Sequence, residues 1–230
     1  MDRSIAPDRM LRRLDGSGIE IGAFQAPQFL PSGDVTYVDL LSREEALAFF
    51  PEVPESIPAI DPDILARADN LSSLQDASQD FLIASHLLEH TEDPIGVLME
   101  WRRVLKRGAL LYLCLPDKRN TFDAQRERTP LQHLLEDHDI CKSKALEGRN
   151  RAHYLEWARH VNGLEDEGQA MLWAEILQAV QFPIHFHCWI PEDILELLQW
   201  FSSTEERSFK VVDQEVMRAG YEFAFLLEAG

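Results

Sequence analysis

Asp80-Phe81-Leu82-Ile83-Ala84-Ser85, then Pro94 to Lys106 (PIGVLMEWRRVLK), then Ala109-Leu110-Leu111-Tyr112-Leu113-Cys114-Leu115 are the runs that decide the fold. The first and last are nearly continuous apolar stretches, as expected of strands buried on both faces. Between them Ile95, Leu98, Met99, Arg102 and Leu105 recur at helical spacing. Pro94 suits a first helical turn, and Gly108 suits the stop after Lys106 and Arg107. A strand, a helix and a second strand, both strands too apolar for a one-sided sheet, make a βαβ unit in a parallel sheet with helices on both faces.

Upstream, Gly18-Ile19-Glu20-Ile21-Gly22 is a short apolar strand closed by glycine, and Val35-Thr36-Tyr37-Val38-Asp39 is a β-branched strand ending in an acid. Ser42 to Phe50 (SREEALAFF) predicts a helix capped by Ser42, with Glu45 completing a capping box. Pro51, Pro54, Pro58 and Pro62 then break regularity, leaving loop with at most a short strand. Downstream, residues 117–183 are polar and mostly helical, with helices expected around Thr129–Asp137, Arg151–Asn162 and Glu165–Val180. Ile184 to Trp189 alternates with period two, Pro191 to Phe201 reads as a helix, and strands are expected near Phe209–Val212 and Tyr221–Leu227. The expected architecture is α/β, a doubly wound, mostly parallel sheet forming one domain over residues 1–230, with a helical insertion or cap at about 117–183.

Composition narrows the function. The chain has 230 residues, and its 40 acidic against 22 basic side chains give a net charge of −18. Such a surface repels phosphate backbones, so sequence-independent nucleic-acid binding is disfavoured. No apolar run is long enough to cross a bilayer. Met1 to Asp15 carries four arginines but no apolar h-region, so a secretory signal is not expected. Cys114, Cys141 and Cys188 are odd in number, far apart and lack CxxC spacing, which fits a reducing, cytoplasmic compartment with no disulfide framework and no zinc knuckle. Oligomeric state leaves no mark on the sequence.

In open parallel sheets ligands bind outside the carboxyl ends of the strands. The residues of interest therefore follow the strands: Gly22-Ala23-Phe24, Asp39, Ser85-His86, and Pro116-Asp117-Lys118-Arg119. Glycine at 22 allows a sharp turn and close approach to a ligand. Asp39 lies 39 − 22 = 17 residues on, near the ~20-residue offset at which an acid binds a nucleotide ribose in an adenosine-containing cofactor; the alternative is that Gly22 only turns the chain and Asp39 only caps a loop. A pyrophosphate site is poorly supported, because Phe24 and Pro27 stand at the third and sixth positions where G-x-G-x-x-G needs glycine.

These segments resemble a known family. GIEIGAFQAP (Gly18–Pro27), TYVDL (Thr36–Leu40), ADNLSSL (Ala68–Leu74), DFLIASHLLEHTEDP (Asp80–Pro94) and WRRVLKRGALLYLCLPDKRNTFD (Trp101–Asp123) are similar to the motifs of class I S-adenosylmethionine-dependent methyltransferases of type 11. The resemblance covers about Gly18 to Asp137. It implies a seven-stranded Rossmann-like sheet and S-adenosylmethionine as cofactor. It also implies that Glu20, Gly22, Ala23 and Phe24 lie by the methionine part, Asp39 and Leu40 by the ribose, and Asp69 and Asn70 by the adenine. Ser85 and His86 would lie next to the transferring methyl. Phe24 stands where the family usually has its second glycine, and Gly108-Ala109 where it has a glycine pair. "PDKRNTFD" resembles a bacterial subgroup associated with sugar or glycolipid pathways.

Methyl transfer from a sulfonium asks the protein to align the partners and to remove a proton from the acceptor. His86, His185 and His187 are the candidate bases, with Asp117 and Asp123 as further candidates. In an extended run His185, His187 and Trp189 would share one face, and Ile184, Phe186 and Cys188 the other. Each has a structural alternative: support of the cofactor for His86, and simple strand histidines for the other two. Glu89 and His90 are expected to tie down the start of the following helix. His185, His187 and Cys188 do not make a metal set, since Cys188 points away and no fourth ligand is evident, so no metal is expected. Lys118, Arg119, Arg126 and Arg128 form a basic cluster. Lys118, Arg119 and Arg126 are expected to receive an anionic, small-molecule or sugar-type acceptor, unless Asp117, Asp123 and Glu127 neutralise them locally. The rival to an enzyme is a non-catalytic methyltransferase-like module that binds a partner through the same surface.

Overall fold

A computed structural model describes residues 9–51, 53–54, 58–143, 146–204 and 208–230. The βαβ unit stands at its centre. Strand β4 (Gln79–Ser85) pairs in parallel with β5 (Leu105–Pro116), and helix α2 (Pro94–Val104) crosses between them. Side chains alternate across β4: Phe81 and Ile83 enter one apolar cluster, Leu82 and Ala84 the other. Both faces are covered, which is why the strand reads as unbroken apolar sequence. Asp93 caps α2 by accepting from the Gly96 amide at 2.8 Å. The helix ends earlier than expected and β5 begins earlier. Lys106 lies in strand, paired with Asp80 at 2.6 Å across a β-bulge between Gln79 and Phe81.

Around this unit lie β1 (Ser17–Ile21), β2 (Asp34–Asp39), α1 (Arg43–Phe49) and the two-residue β3 (Ile64–Leu65). At the other end come β6 (Phe209–Met217) and β7 (Glu222–Ala229), an antiparallel hairpin longer than expected in β6. The seven strands run in the order β3-β2-β1-β4-β5-β7-β6, all parallel except β7. Ser42 forms the expected capping box with Glu45.

No helix links β1 to β2. Residues 22–33 cross as loop. The sheet face that such a helix would cover is closed instead by Met10, Leu11 and Leu14, which pack on Phe81, Ile83 and Tyr112. The opposite face is covered by α2 and by α6 (Pro191–Thr204), through Leu98, Trp101, Leu197 and Phe201 among others.

Between β5 and α6 come α3 (Leu131–Ser143), α4 (Leu146–His160) and α5 (Glu167–Ala179). Helices α4 and α5 share a small core of their own with Ile184 and Phe186. The alternating run 184–189 is not a sheet strand. It bends at Phe186 and makes one bridge, Asp117 to Trp189. Its backbone is used by three loops: Phe186 N donates to Glu89 O at 2.8 Å, Cys188 O accepts from Thr129 N at 3.0 Å, and Trp189 O from Lys118 N at 3.0 Å. Both of its expected faces are buried, so His185 and His187 do not share an open surface. Among the described residues no helix is long and apolar enough to cross a membrane.

Candidate active site

Strand register builds the site. Ile21 pairs with Val38 on one side and with Ala84 on the other. One residue further along each parallel strand come Gly22, Asp39 and Ser85, side by side at the carboxyl edge. Ser85 in turn pairs with Cys114, and Asp39 with Leu65. With strands ~4.8 Å apart, Asp39 and Ser85 flank Gly22 within a span of about 10 Å.

Gly22 has φ 74°, and a Cβ there would lie 3.3 Å from a Leu87 methyl. Its amide donates to Val38 O at 2.9 Å. The loop that follows is shaped by Glu20, which is 2 % exposed and accepts from the Gln28 amide at 2.9 Å. Burial pushes the Glu20 carboxyl up to about 7, against the pull of that hydrogen bond. Phe24, in the position of the usual second glycine, takes φ 32°, and its ring packs against Phe50 at 5.9 Å between centroids. Ala23 beside it is buried.

Asp39 accepts from the Leu40 amide at 2.7 Å. Burial raises its carboxyl above the ordinary value, opposed by hydrogen bonds from the Leu40 and Leu41 backbone. Leu40 is exposed. Asp39 O accepts from Ala66 N, so the turn Arg67–Asn70 follows at the same edge. There Asp69 is held by Arg67 in a two-point pair at 2.9 and 3.0 Å. The residues fit the cofactor that the motifs imply. The edge offers a glycine whose missing side chain opens the turn, a carboxylate with accepting capacity left for hydroxyl groups, and a second acid one turn away.

His86, with φ 51°, follows Ser85 at the edge. Its Nε2 lies 2.8 Å from Glu222 of β7, and its Nδ1 3.6 Å from Glu89. Burial alone would lower the imidazole. Hydrogen bonds with Cys114 and Glu222 and the charge of Glu89 outweigh it and push His86 up to about 10. It is therefore protonated at neutral pH and is not a free base. Glu89 is fully buried, and neither carboxylate oxygen has a hydrogen-bond partner. It does not tie down α2, which Asp93 caps. It faces His90 and His185, close enough for all three to share one ion.

His185 is held at Nδ1 by Asp123, 2.6 Å away. Burial would raise the Asp123 carboxyl, but His185 and Arg126 hold it below the ordinary value. His90 meets the His185 ring edge-on at 4.6 Å, and His90 Nδ1 lies 2.9 Å from Ile184 O. Phe122, 55 % exposed, leans on His185 at 4.7 Å and on Trp157 at 5.4 Å. His187 is elsewhere. Its ring is wholly buried, pushed down to about 4 by that burial, and bonded to Asp137 at 2.9 Å. It does not reach the edge, which corrects its expected role as a base.

The basic cluster is also reassigned. The Arg126 side chain is 1 % exposed and pairs with Asp123 at 2.8 Å and Glu156 at 3.0 Å, while also donating to the carbonyls of His185 and Phe186. Arg119 is paired with Asp117, Arg128 lies 3.5 Å from Asp193, and buried Lys118 reaches the Ala124 carbonyl at 3.3 Å. Internal pairing, and not an open anion site, is what the fold makes of Arg126, whereas the Arg119 guanidinium stays half exposed beside Asp117. Glu222 and Trp157 carry no local signal in the sequence, and Phe122 is marked only by its place in the "TFD" of a quoted motif.

The sheet order, mostly parallel with one antiparallel hairpin, is that of the class I methyltransferase fold. A family model described as a methyltransferase domain (type 11) matches residues 16–113. Those residues are thus a type 11 methyltransferase domain, the domain of S-adenosylmethionine-dependent enzymes. No curated protein matches the chain. A solved complex from Haloferax volcanii, between the Trm112 methyltransferase activator and a methyltransferase, matches at 13% identity and TM-score 0.52, covering 95% of this chain and 86% of that one. The PH0226 protein of Pyrococcus horikoshii matches at 14% identity and TM-score 0.49, over 93% and 82%.

Proposed function

We propose that this protein transfers a methyl group from S-adenosylmethionine to an oxygen or nitrogen of a small-molecule or sugar-type acceptor. The observation that carries the reading is the row Asp39–Gly22–Ser85 at the sheet edge, linked through His86 and Glu89 to the Asp123–His185 pair. S-adenosylmethionine, when bound, supplies an already activated methyl group. Gly22 lets the backbone approach it, Asp39 accepts from ribose hydroxyls, and Asp69 stands by the adenine. His86, cationic and fixed by Glu222, places a positive charge at the edge. His185, oriented through Nδ1 by Asp123, keeps Nε2 to receive the acceptor's proton. The exposed Phe122 ring and the Trp157 ring behind it offer a flat apolar wall against which a sugar or aromatic face can stack. A chain of charge −18 supports a small acceptor over a nucleic acid.

Screening metabolites by release of the demethylated cofactor tests this. His185→Asn should lower kcat about 10²-fold or more while leaving cofactor affinity intact. Phe122→Ala should act mainly on the acceptor's KM. Cofactor binding without turnover on any oxygen or nitrogen acceptor would favour the non-catalytic module. An unchanged kcat in His185→Asn would remove His185 from the reaction.

A further inference from the structure

Away from the sheet edge, four side chains from three segments converge. His133 and Asp137 stand four residues apart on α3 and so share a face. His153 comes from α4, and His187 from the irregular run before α6. Around the single oxygen Oδ2 of Asp137, His187 Nε2 lies at 2.9 Å, His133 Nε2 at 3.1 Å and His153 Nε2 at 3.6 Å. Asp137, His153 and His187 are buried, while His133 retains an opening to solvent.

Hydrogen bonding alone accounts poorly for this arrangement. His187 and His133 already fill the roughly two lone-pair sites of that oxygen, and His153 at 3.6 Å is beyond hydrogen-bond length, so hydrogen bonding does not explain why a third imidazole converges there. The spacing instead matches a coordination shell. Ligands ~2.0–2.1 Å from a tetrahedral zinc lie about 3.4 Å apart, and the centroids of imidazoles bound through one nitrogen about 5.2 Å apart. The ring centroids here are 5.1 Å (His133–His153), 5.3 Å (His153–His187) and 5.8 Å (His133–His187), with planes at 70–82°. The other Asp137 oxygen is held by Arg149, the outer contact that a ligating carboxylate keeps.

We propose that His133, Asp137, His153 and His187 bind one zinc ion. Three imidazoles and one carboxylate form a closed four-ligand set, which belongs to a structural zinc site and not a catalytic one. The ion would tie α3, α4 and the 184–189 run together, and through that run hold His185 and its Asp123 partner in place. This inference does not rest on the methyl-transfer reading.

The test uses the full chain. Purified from zinc-supplemented medium, it should carry one zinc per chain by elemental analysis. After chelation and refilling with cobalt(II), it should show the intense visible bands of tetrahedral cobalt. His133→Ala, which removes the most accessible ligand, should weaken zinc binding at least about tenfold and abolish the rise in Tm that zinc gives. His160→Ala, an exposed histidine outside the cluster, should do neither. A wild-type chain that stays folded yet takes up neither zinc nor cobalt stoichiometrically overturns the proposal, and needs no variant to fold. Stoichiometric metal retained at full affinity by His133→Ala overturns it equally, because the ion then sits elsewhere.

Discussion

Glu20→Gln isolates one buried charge at the root of the ligand edge. The carboxyl is 2 % exposed and is pushed from 4.5 to about 7 by burial. Between those values the folded chain holds a proton that the unfolded chain has lost, so stability falls as pH rises through the window and levels off above it. At about 1.4 kcal/mol for each tenfold change in ionisation constant, the fully ionised group costs roughly 3 kcal/mol. Glutamine keeps an oxygen for the Gln28 amide and removes the charge. Melting both chains at a series of pH values gives a difference curve in which every other titrating group cancels. The variant should match the wild type near pH 4 and gain about 1–3 kcal/mol by pH 8, or roughly 3–10 °C in Tm for a chain of this size. Parallel curves across the whole range would show that the Glu20 carboxylate is not desolvated in the folded chain, and would refute the reasoning.

Asp39→Ala should weaken S-adenosylmethionine binding ten- to a hundredfold, the ~1.5–3 kcal/mol of a hydrogen bond to a charged group, read by calorimetry. Arg126→Ala should lower the unfolding free energy by about 3–5 kcal/mol in urea titrations, because it removes the buried cation between Asp123 and Glu156 and leaves Asp123 with His185 alone. A loss under ~1 kcal/mol there would contradict the internal pairing.

Local signals made most of the fold legible. The apolar runs of β4 and β5, the Ser42–Glu45 box and the spacing of α2 each depend on neighbours in sequence, and each formed close to where it was expected. The start of β5 was missed because the Lys106–Asp80 pair that draws it into strand is a tertiary contact. Residues 184–189 were misread because period-two alternation marks any extended run, and a run buried on all sides by loops and helices has no open face to report. The convergence of Gly22, Asp39 and Ser85 at one carboxyl edge was legible, since strand ends converge in this topology. The fate of the arginines could not, because Arg126 finds Glu156 and the 185–186 carbonyls only after folding. Glu222, which fixes His86, lies at the far end of the sequence and meets it only through the β5–β7 ladder. His133 and Asp137 carried a visible i, i+4 spacing, but nothing local connected them to His153 or His187.

The central claim is that the carboxyl edge of this sheet is an S-adenosylmethionine site. Calorimetric titration of the wild-type chain with S-adenosylmethionine, and with its demethylated product, tests it most directly. The account predicts saturable binding of both ligands at one site per chain, tighter than millimolar and weakened by Asp39→Ala. No binding of either ligand at millimolar concentration by the folded chain would contradict it.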